Sequence, residues 1–186
     1  DTNLFQLKNP SLPPKKEYQK DYSDFISNIV ERYDGDGNND MPNLKYPILS
    51  YEIETEAQGS FHWLGTAEEY TDLLKVAYVA AKKANPRVQI TLTGFWIGDV
   101  LNPGEPYEKR IEMLDEKMFV KKNWYKYVRS FQKFLKEKNY FDKVEFHSLE
   151  DYPAIYTAVE WIRQEMKQNG YEKPIYVGDA CATPTL

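Results

Sequence analysis

The sequence predicts an α/β fold with a parallel sheet, on three observations. Segments of helical periodicity alternate four times with short apolar segments of strand length. Hydrophobic residues make up 41% of the 186 residues and aromatic residues 15%, enough for a packed core. Acidic residues, histidines and tryptophans gather where the predicted strands end. Because the alternation requires crossover connections, the strands are expected to run parallel.

The first elements follow a proline-containing extended segment, residues 1–16, which has no sustained periodicity. From residue 17 to residue 33, apolar residues recur at three- and four-residue steps, which predicts an amphipathic helix. The turn-rich residues 34–43 end that helix. The apolar run YPILSYEI, residues 46–53, then predicts a buried strand.

The second helix is predicted over residues 67–84. Thr66 and Glu69 stand at capping-box spacing before it, and Pro86 follows it. The run VQITLTGF, residues 88–95, predicts the second strand.

The remaining elements repeat the pattern after a long connection. A third helix is predicted over residues 124–135 and a third strand at KVEFHS, residues 143–148. A fourth helix is expected to begin near Pro153 and to stop at Gly170. The fourth strand is KPIYVG, residues 173–178.

Two architectures fit four strands and four helices in this order. One is a small doubly wound sheet, and the other is one contiguous part of a (β/α)8 barrel. A complete barrel needs about 250 residues, which is more than this chain has. Both architectures stay open on this evidence, with residues 17–186 as one domain, and the resemblance described below implies the second, an incomplete parallel barrel of the TIM type.

Composition excludes several other classes. The formal net charge is -5 and the lysines are scattered, which argues against nucleic-acid binding. No segment approaches the roughly 20 apolar residues of a membrane-spanning helix. The single cysteine, Cys181, cannot form an internal disulfide.

Candidate site residues, among them the catalytic candidates Glu56 and Asp179, lie at the carboxyl ends of the predicted strands, where parallel α/β folds place their sites. Glu56 follows the first strand, His147 stands in the third, and Asp179 follows the fourth. Two carboxylates at different strand ends are what glycosidic bond hydrolysis requires. His62 is a weaker candidate, and the spacing of the two histidines predicts no metal site.

At these positions the sequence resembles clan A glycoside hydrolases, the retaining (β/α)8 enzymes of the endoglycanase and β-xylosidase types. The run YPILSYEIETEAQGSFHWLGTAEEY resembles their fourth strand with the aromatic loop and helix that follow it. The run KVEFHSLEDYPAIYTAVEWIRQEMKQNGYEKPIYVGDA resembles their sixth strand, the next helix and the seventh strand. The resemblance covers roughly residues 17–180.

The resemblance implies roles for three residues and also shows departures. Glu56 stands at the acid/base position and Asp179 at the nucleophile position, where the family has Glu. The shorter Asp retracts the carboxylate by about 1.5 Å, which favours a water-using mechanism or no catalysis. Thr55 replaces the Asn that holds a sugar hydroxyl in the family, and its side chain reaches less far. The family's strands one to three and eight have no counterpart here.

Further residues are expected to bind a sugar. The predicted substrate-binding residues are Thr55, His147, Trp63, Trp96 and Tyr152. Trp63 and Trp96 follow strands, where their rings could stack on a sugar. Trp124 and Trp161 lie on helical stripes and are expected in the core.

The loop of residues 34–40 suggests a calcium site, with oxygen ligands at Asp34, Asp36, Asn38 and Asp40. Asn39 stands where an EF-hand needs glycine and Lys45 where it needs a bidentate glutamate. A turn built from residues that tolerate left-handed backbone is the favoured interpretation, and a structural calcium is the alternative. No other cofactor is expected.

Two functional hypotheses follow. The first is a glycosidase acting on a β-linked polysaccharide or oligosaccharide, outside the cell or at its surface. The second is a catalytically inactive protein of the same fold that binds carbohydrate or has a structural role. In both, further barrel strands are expected from a longer chain or from self-association, because half a barrel leaves edge strands and apolar surface exposed.

Overall fold

The chain forms a mixed α/β fold in which the paired strands run parallel. The structure is a computed structural model that describes residues 11–58, 62–96, 122–148 and 152–180. Within these residues there are two small sheets and four α-helices, and no closed barrel. The prediction of an α/β fold with parallel strands is confirmed, and the described residues form part of such a fold.

The four predicted helices are present. They are α1 (Gln19–Tyr33), α2 (Ala67–Ala84), α3 (Lys122–Lys136) and α4 (Tyr152–Gln168), with a 3-10 turn at Lys16–Tyr18 before the first. At the start of α2 the Thr66 hydroxyl accepts from the Glu69 N–H at 3.1 Å, and the Glu69 carboxylate accepts from the Thr66 N–H at 2.7 Å. This reciprocal pair satisfies two of the backbone donors that a helix start leaves free.

Five short strands occupy the four predicted positions. They are β1 (Ser50–Glu52), β2 (Gln89–Thr91), β3 (Phe95–Trp96), β4 (Val144–Ser148) and β5 (Ile175–Ala180). One sheet pairs β1 with β2, and the other has the order β3-β4-β5. The second predicted strand is thus divided into β2 and β3.

Single bridges connect the two sheets. Thr91 is bridged to Lys143 just before β4, and Thr55 is bridged to Gly94 just before β3. The strand order from β1 to β5 therefore follows the chain, and all the strands place their carboxyl ends at one edge.

The first predicted strand is shorter than expected. Residues 46–49 are exposed, and the Tyr46 side chain is 81% exposed. The Ile48 N–H donates to the Tyr33 carbonyl at 2.7 Å, so Ile48 lies against the end of α1, and contact with β2 begins at the Leu49 carbonyl, which accepts the Gln89 N–H at 2.8 Å. The prediction of a buried strand over residues 46–53 is therefore wrong for its first half.

One core lies between the helices and one face of the strands. The rings of Phe95 and Phe131 stack at 4.0 Å, and that of Trp161 lies 5.9 Å from Phe131. Trp161 is fully buried, as predicted, whereas the Trp124 side chain lies outside the described residues. Among the described helices, none has both the length and the apolarity to cross a membrane.

Candidate functional site

Glu56 follows β1 in an unusual backbone conformation. Both Glu54 and Glu56 have positive φ, 59° and 45°, which is uncommon for residues with a side chain. The Glu56 N–H donates to the Gly94 carbonyl at 3.0 Å, and the Ala57 N–H donates to the Thr93 hydroxyl at 3.1 Å. These bonds hold the chain in a conformation of the kind that clusters at functional sites.

Two histidines hold the Glu56 carboxylate. His147 Nδ1 lies 2.9 Å from Glu56 Oε1, and His62 Nε2 lies 3.3 Å from Oε2. The Glu56 side chain is only 19% exposed. The structure thus brings the predicted acid/base residue together with the predicted His147 and with the weaker candidate His62.

Strand β4 presents His147 on the face opposite to the core. Its buried residues are Val144, Phe146 and Ser148, so Glu145 and His147 lie together on the other face. We call this side of the sheet the inner face. Glu145 Oε1 lies 3.7 Å from His147 Nε2, beyond hydrogen-bond reach but close enough for charge interaction.

A register shift in β5 places Asp179 beside His147. Phe146 pairs with Val177, and His147 pairs with Asp179, so that Gly178 is the extra residue of a bulge. Since residues in register on neighbouring strands project to the same face, Asp179 is directed to the inner face. Of the two predicted catalytic residues, Glu56 therefore contacts His147, and Asp179 is the register partner of His147 on β5.

Glu52 adds another carboxylate to this group. Its Oε1 accepts the Gly94 N–H at 2.6 Å. Burial raises the pKa of Glu52 above its usual value and the Glu145 charge adds to this, while the Gly94 N–H opposes it.

His147 is a cation at neutral pH. Glu145 and then Glu56 raise the pKa of His147 from 6.5 to about 10, against the opposing effect of burial. Its side chain is 10% exposed. An imidazolium therefore lies within a group of carboxylates and neutralises part of their charge.

Glu52, Glu145 and His147 each offer an oxygen or nitrogen atom, and these atoms lie within 4.8 Å of one another. A metal ion could contact all three. A metal ion at His147 must however displace a proton, and the neighbouring Glu145 and Glu56 raise the pKa at which His147 releases it. The protonated state fits this arrangement better.

The aromatic residues predicted to bind sugar have different environments. Trp63 is 3% exposed, its indole N–H donates to the Thr66 carbonyl at 3.1 Å, and its ring packs edge-on against Tyr70. The prediction that Trp63 stacks on a sugar is wrong, because the start of α2 holds the ring in the core. Trp96 is half-buried and pairs in register with His147.

The other two predicted sugar ligands are Thr55 and Tyr152. Thr55 is exposed beside Gly94. Tyr152 begins α4, and its side chain lies outside the described residues.

The loop of residues 34–40 is ordered by its own side chains. Asp40 accepts the N–H groups of Gly35 and Gly37 at 2.9 and 2.8 Å, and Asp36 accepts that of Asn38 at 2.7 Å. Asp34, Asp36 and Asp40 offer oxygens within 4.8 Å of one another. The turn interpretation accounts for these bonds, and the structural calcium stays a prediction.

Sequence reasoning missed Glu145 and two glycines. A Cβ on Gly94 would lie 2.2 Å from His147 Nε2, and one on Gly178 would lie 1.5 Å from Glu145 Oε1. Both glycines therefore provide space for the site. The signal for Glu145 was present in the sequence, because residues two apart on a strand share a face.

Comparison with known proteins gives a structural neighbour. No protein-family model matches the chain, and no curated protein matches it. Among solved structures, a glucosidase from Croceicoccus marinus aligns with a TM-score of 0.59 and 15% identity. The alignment covers 96% of this chain and 33% of the glucosidase, so the chain spans about a third of its length.

At this identity the similarity concerns the fold alone. The chain has a fold like that of part of a glycoside hydrolase.

Proposed function

We propose that this protein is a glycosidase with a fold of the clan A type, and that it hydrolyses a β-linked polysaccharide or oligosaccharide. The proposal is supported by His147, which the fold relates to both predicted catalytic residues. It contacts Glu56 at 2.9 Å and pairs in register with Asp179. Hydrolysis of a glycosidic bond requires two carboxyl groups, and both predicted ones come from the same edge of the sheet.

In the proposed reaction Glu56 and Asp179 act on opposite sides of the glycosidic bond. Glu56, with its hydrogen-bond partner His147, supplies the proton that the leaving oxygen takes when the C–O bond breaks. Asp179 takes a proton from the water that attacks the anomeric carbon. The short Asp side chain leaves room for that water, which favours inversion over a covalent intermediate.

Substrate contacts are proposed at the rim of the inner face. Thr55, Trp96 and Tyr152 are the candidates, since Trp63 is enclosed in the core. A polymeric substrate would be met outside the cell or at its surface. Additional strands, from a longer chain or a second copy, would complete the wall of the cleft.

The test is hydrolysis of aryl β-glycosides by the wild type and by Glu56→Gln. We expect kcat to fall at least a hundredfold, since general acid catalysis contributes about 10²–10⁴. Glu172→Gln is the matched control, because Glu172 is exposed in the turn before β5. Unchanged kcat in Glu56→Gln would reject the assignment.

A second candidate is a carbohydrate-binding protein without turnover. It is favoured by the two imidazole nitrogens that lie 2.9 and 3.3 Å from the Glu56 oxygens, since both oxygens then have partners within the protein. Calorimetry with β-linked oligosaccharides separates the two: binding without any product supports this candidate, and product formation removes it.

A further inference from the structure

Glu145 occupies a notch that β5 leaves open. A Cβ at Gly178 would lie 1.5 Å from Glu145 Oε1 and 2.3 Å from Cδ, so a side chain at residue 178 would collide with the carboxylate. The Glu145 side chain consequently lies against the β5 backbone and is 16% exposed. The bulge that provides Gly178 also brings Asp179 into register with His147.

The imidazole of His147 lies in a second notch, at Gly94. A Cβ there would lie 2.2 Å from Nε2 and 2.8 Å from Cε1. The same glycine gives its N–H to Glu52 and its carbonyl to the Glu56 N–H. Two backbone positions without side chains thus fix both members of the Glu145–His147 pair.

The charged groups around His147 come from every neighbouring element. Glu145 lies on its own strand, Glu52 and Glu56 lie at the end of β1, and Asp179 is its register partner on β5. His62 lies beyond Glu56, at 3.3 Å from its second oxygen. Glu145 and Glu56 both raise the pKa of His147, and the charge of Glu52 adds to their effect.

We propose that Glu145 is a positioning residue that keeps His147 protonated, with its Nδ1–H directed at Glu56, through neutral and mildly alkaline pH. This inference rests on the proposed function only for its effect on catalysis. Without Glu145, a buried imidazole would lose its proton closer to neutrality. The neutral imidazole would keep its one N–H on Nδ1, against the Glu56 carboxylate, and would lose the Nε2 proton that faces residue 145 together with its positive charge.

The direct test requires no substrate. The chain contains two histidines, so NMR titration of the imidazole nuclei gives two curves, assigned with a His62→Gln variant. We expect the His147 midpoint to fall by at least one pH unit in Glu145→Gln and to stay unchanged in Glu172→Gln. An unchanged midpoint in a folded Glu145→Gln protein would overturn the proposal.

A second variant separates loss of the charge from misfolding. Glu145→Asp keeps the charge and needs less space in the Gly178 notch, and its His147 midpoint is expected between those of Glu145→Gln and the wild type. A midpoint in Glu145→Asp no higher than in Glu145→Gln would contradict a role for the charge.

The pH profile of hydrolysis links the pair to catalysis. If the pKa of His147 returned fully to 6.5, about 3% would be protonated at pH 8, which sets an upper limit of about thirtyfold on the loss of kcat. We expect Glu145→Gln to move the alkaline limit of kcat downward with little change in KM. An unmoved limit would overturn the proposal. A shifted NMR midpoint in a protein without hydrolysis would support the positioning role and reject the glycosidase.

Discussion

On β4, neighbouring side chains lie in two opposite environments. Phe146 belongs to the fully buried cluster that includes Phe131 and Trp161, whereas His147 lies on the inner face among carboxylates. The core side depends on shape, since aromatic rings fill it at contact distances. The inner face depends on charge, and two glycines, Gly94 and Gly178, leave space there for polar side chains. Stability and proposed function thus lie on opposite sides of a thin sheet.

The largest effect is expected from breaking the core side. Phe131→Ala removes the central ring of the stack, 4.0 Å from Phe95 and 5.9 Å from Trp161. We expect the free energy of unfolding to fall by about 3–5 kcal/mol, from lost burial and the cavity left behind. Urea denaturation measures it, with the exposed Tyr156→Ala as control. A loss below about 1 kcal/mol would contradict the assignment of this stack to the core.

A smaller effect is expected from filling a notch of the inner face. In Gly94→Ala the new Cβ would lie 2.2 Å from His147 Nε2, so the imidazole must move. We expect about 1–3 kcal/mol of destabilisation, as for other overpacked sites. The pair Gly94→Ala and His147→Ala should be non-additive, with the double variant more stable than the sum of the two losses predicts. Additive losses would show that the clash is not with the imidazole.

The sequence predicted the features that depend on local patterns along the chain. Periodicity indicated the four helices, and the Thr66–Glu69 spacing predicted the capping box that the structure contains. Strand-end position indicated Glu56 and His147, which lie in contact. These are local patterns, and a single element carries each of them.

What the sequence did not predict depends on contacts between distant elements. Trp63 follows a strand like a surface aromatic residue, but a hydrogen bond to the start of α2 draws it into the core. Glu145 fits against β5 because a bulge on that strand places Gly178 beside it. The importance of Gly94 and Gly178 comes from the side chains that lie against them. No local pattern reports such pairings.

The finest test of the comparison uses pH. Folding raises the pKa of His147 from 6.5 to about 10, so the folded state holds this proton more tightly than the unfolded state. The resulting stabilisation is complete below pH 6.5 and is lost as the pH rises to about 10. Full conversion of the shift would exceed 4 kcal/mol, but solvent screening and repulsion among the acids reduce it to about 1–2 kcal/mol.

We therefore expect the wild type to lose about 1–2 kcal/mol more unfolding free energy than His147→Gln between pH 6 and pH 10. Urea denaturation at both pH values measures the difference. Lysines and tyrosines also titrate in this range, but their contributions to the unfolding free energy are the same in both proteins and cancel. Phe131→Leu serves as the core control, because a change of shape should lower stability equally at both pH values. Equal pH dependence in the wild type and His147→Gln would mean that the inner-face charges do not stabilise the fold, and that the imidazolium contributes only to the site.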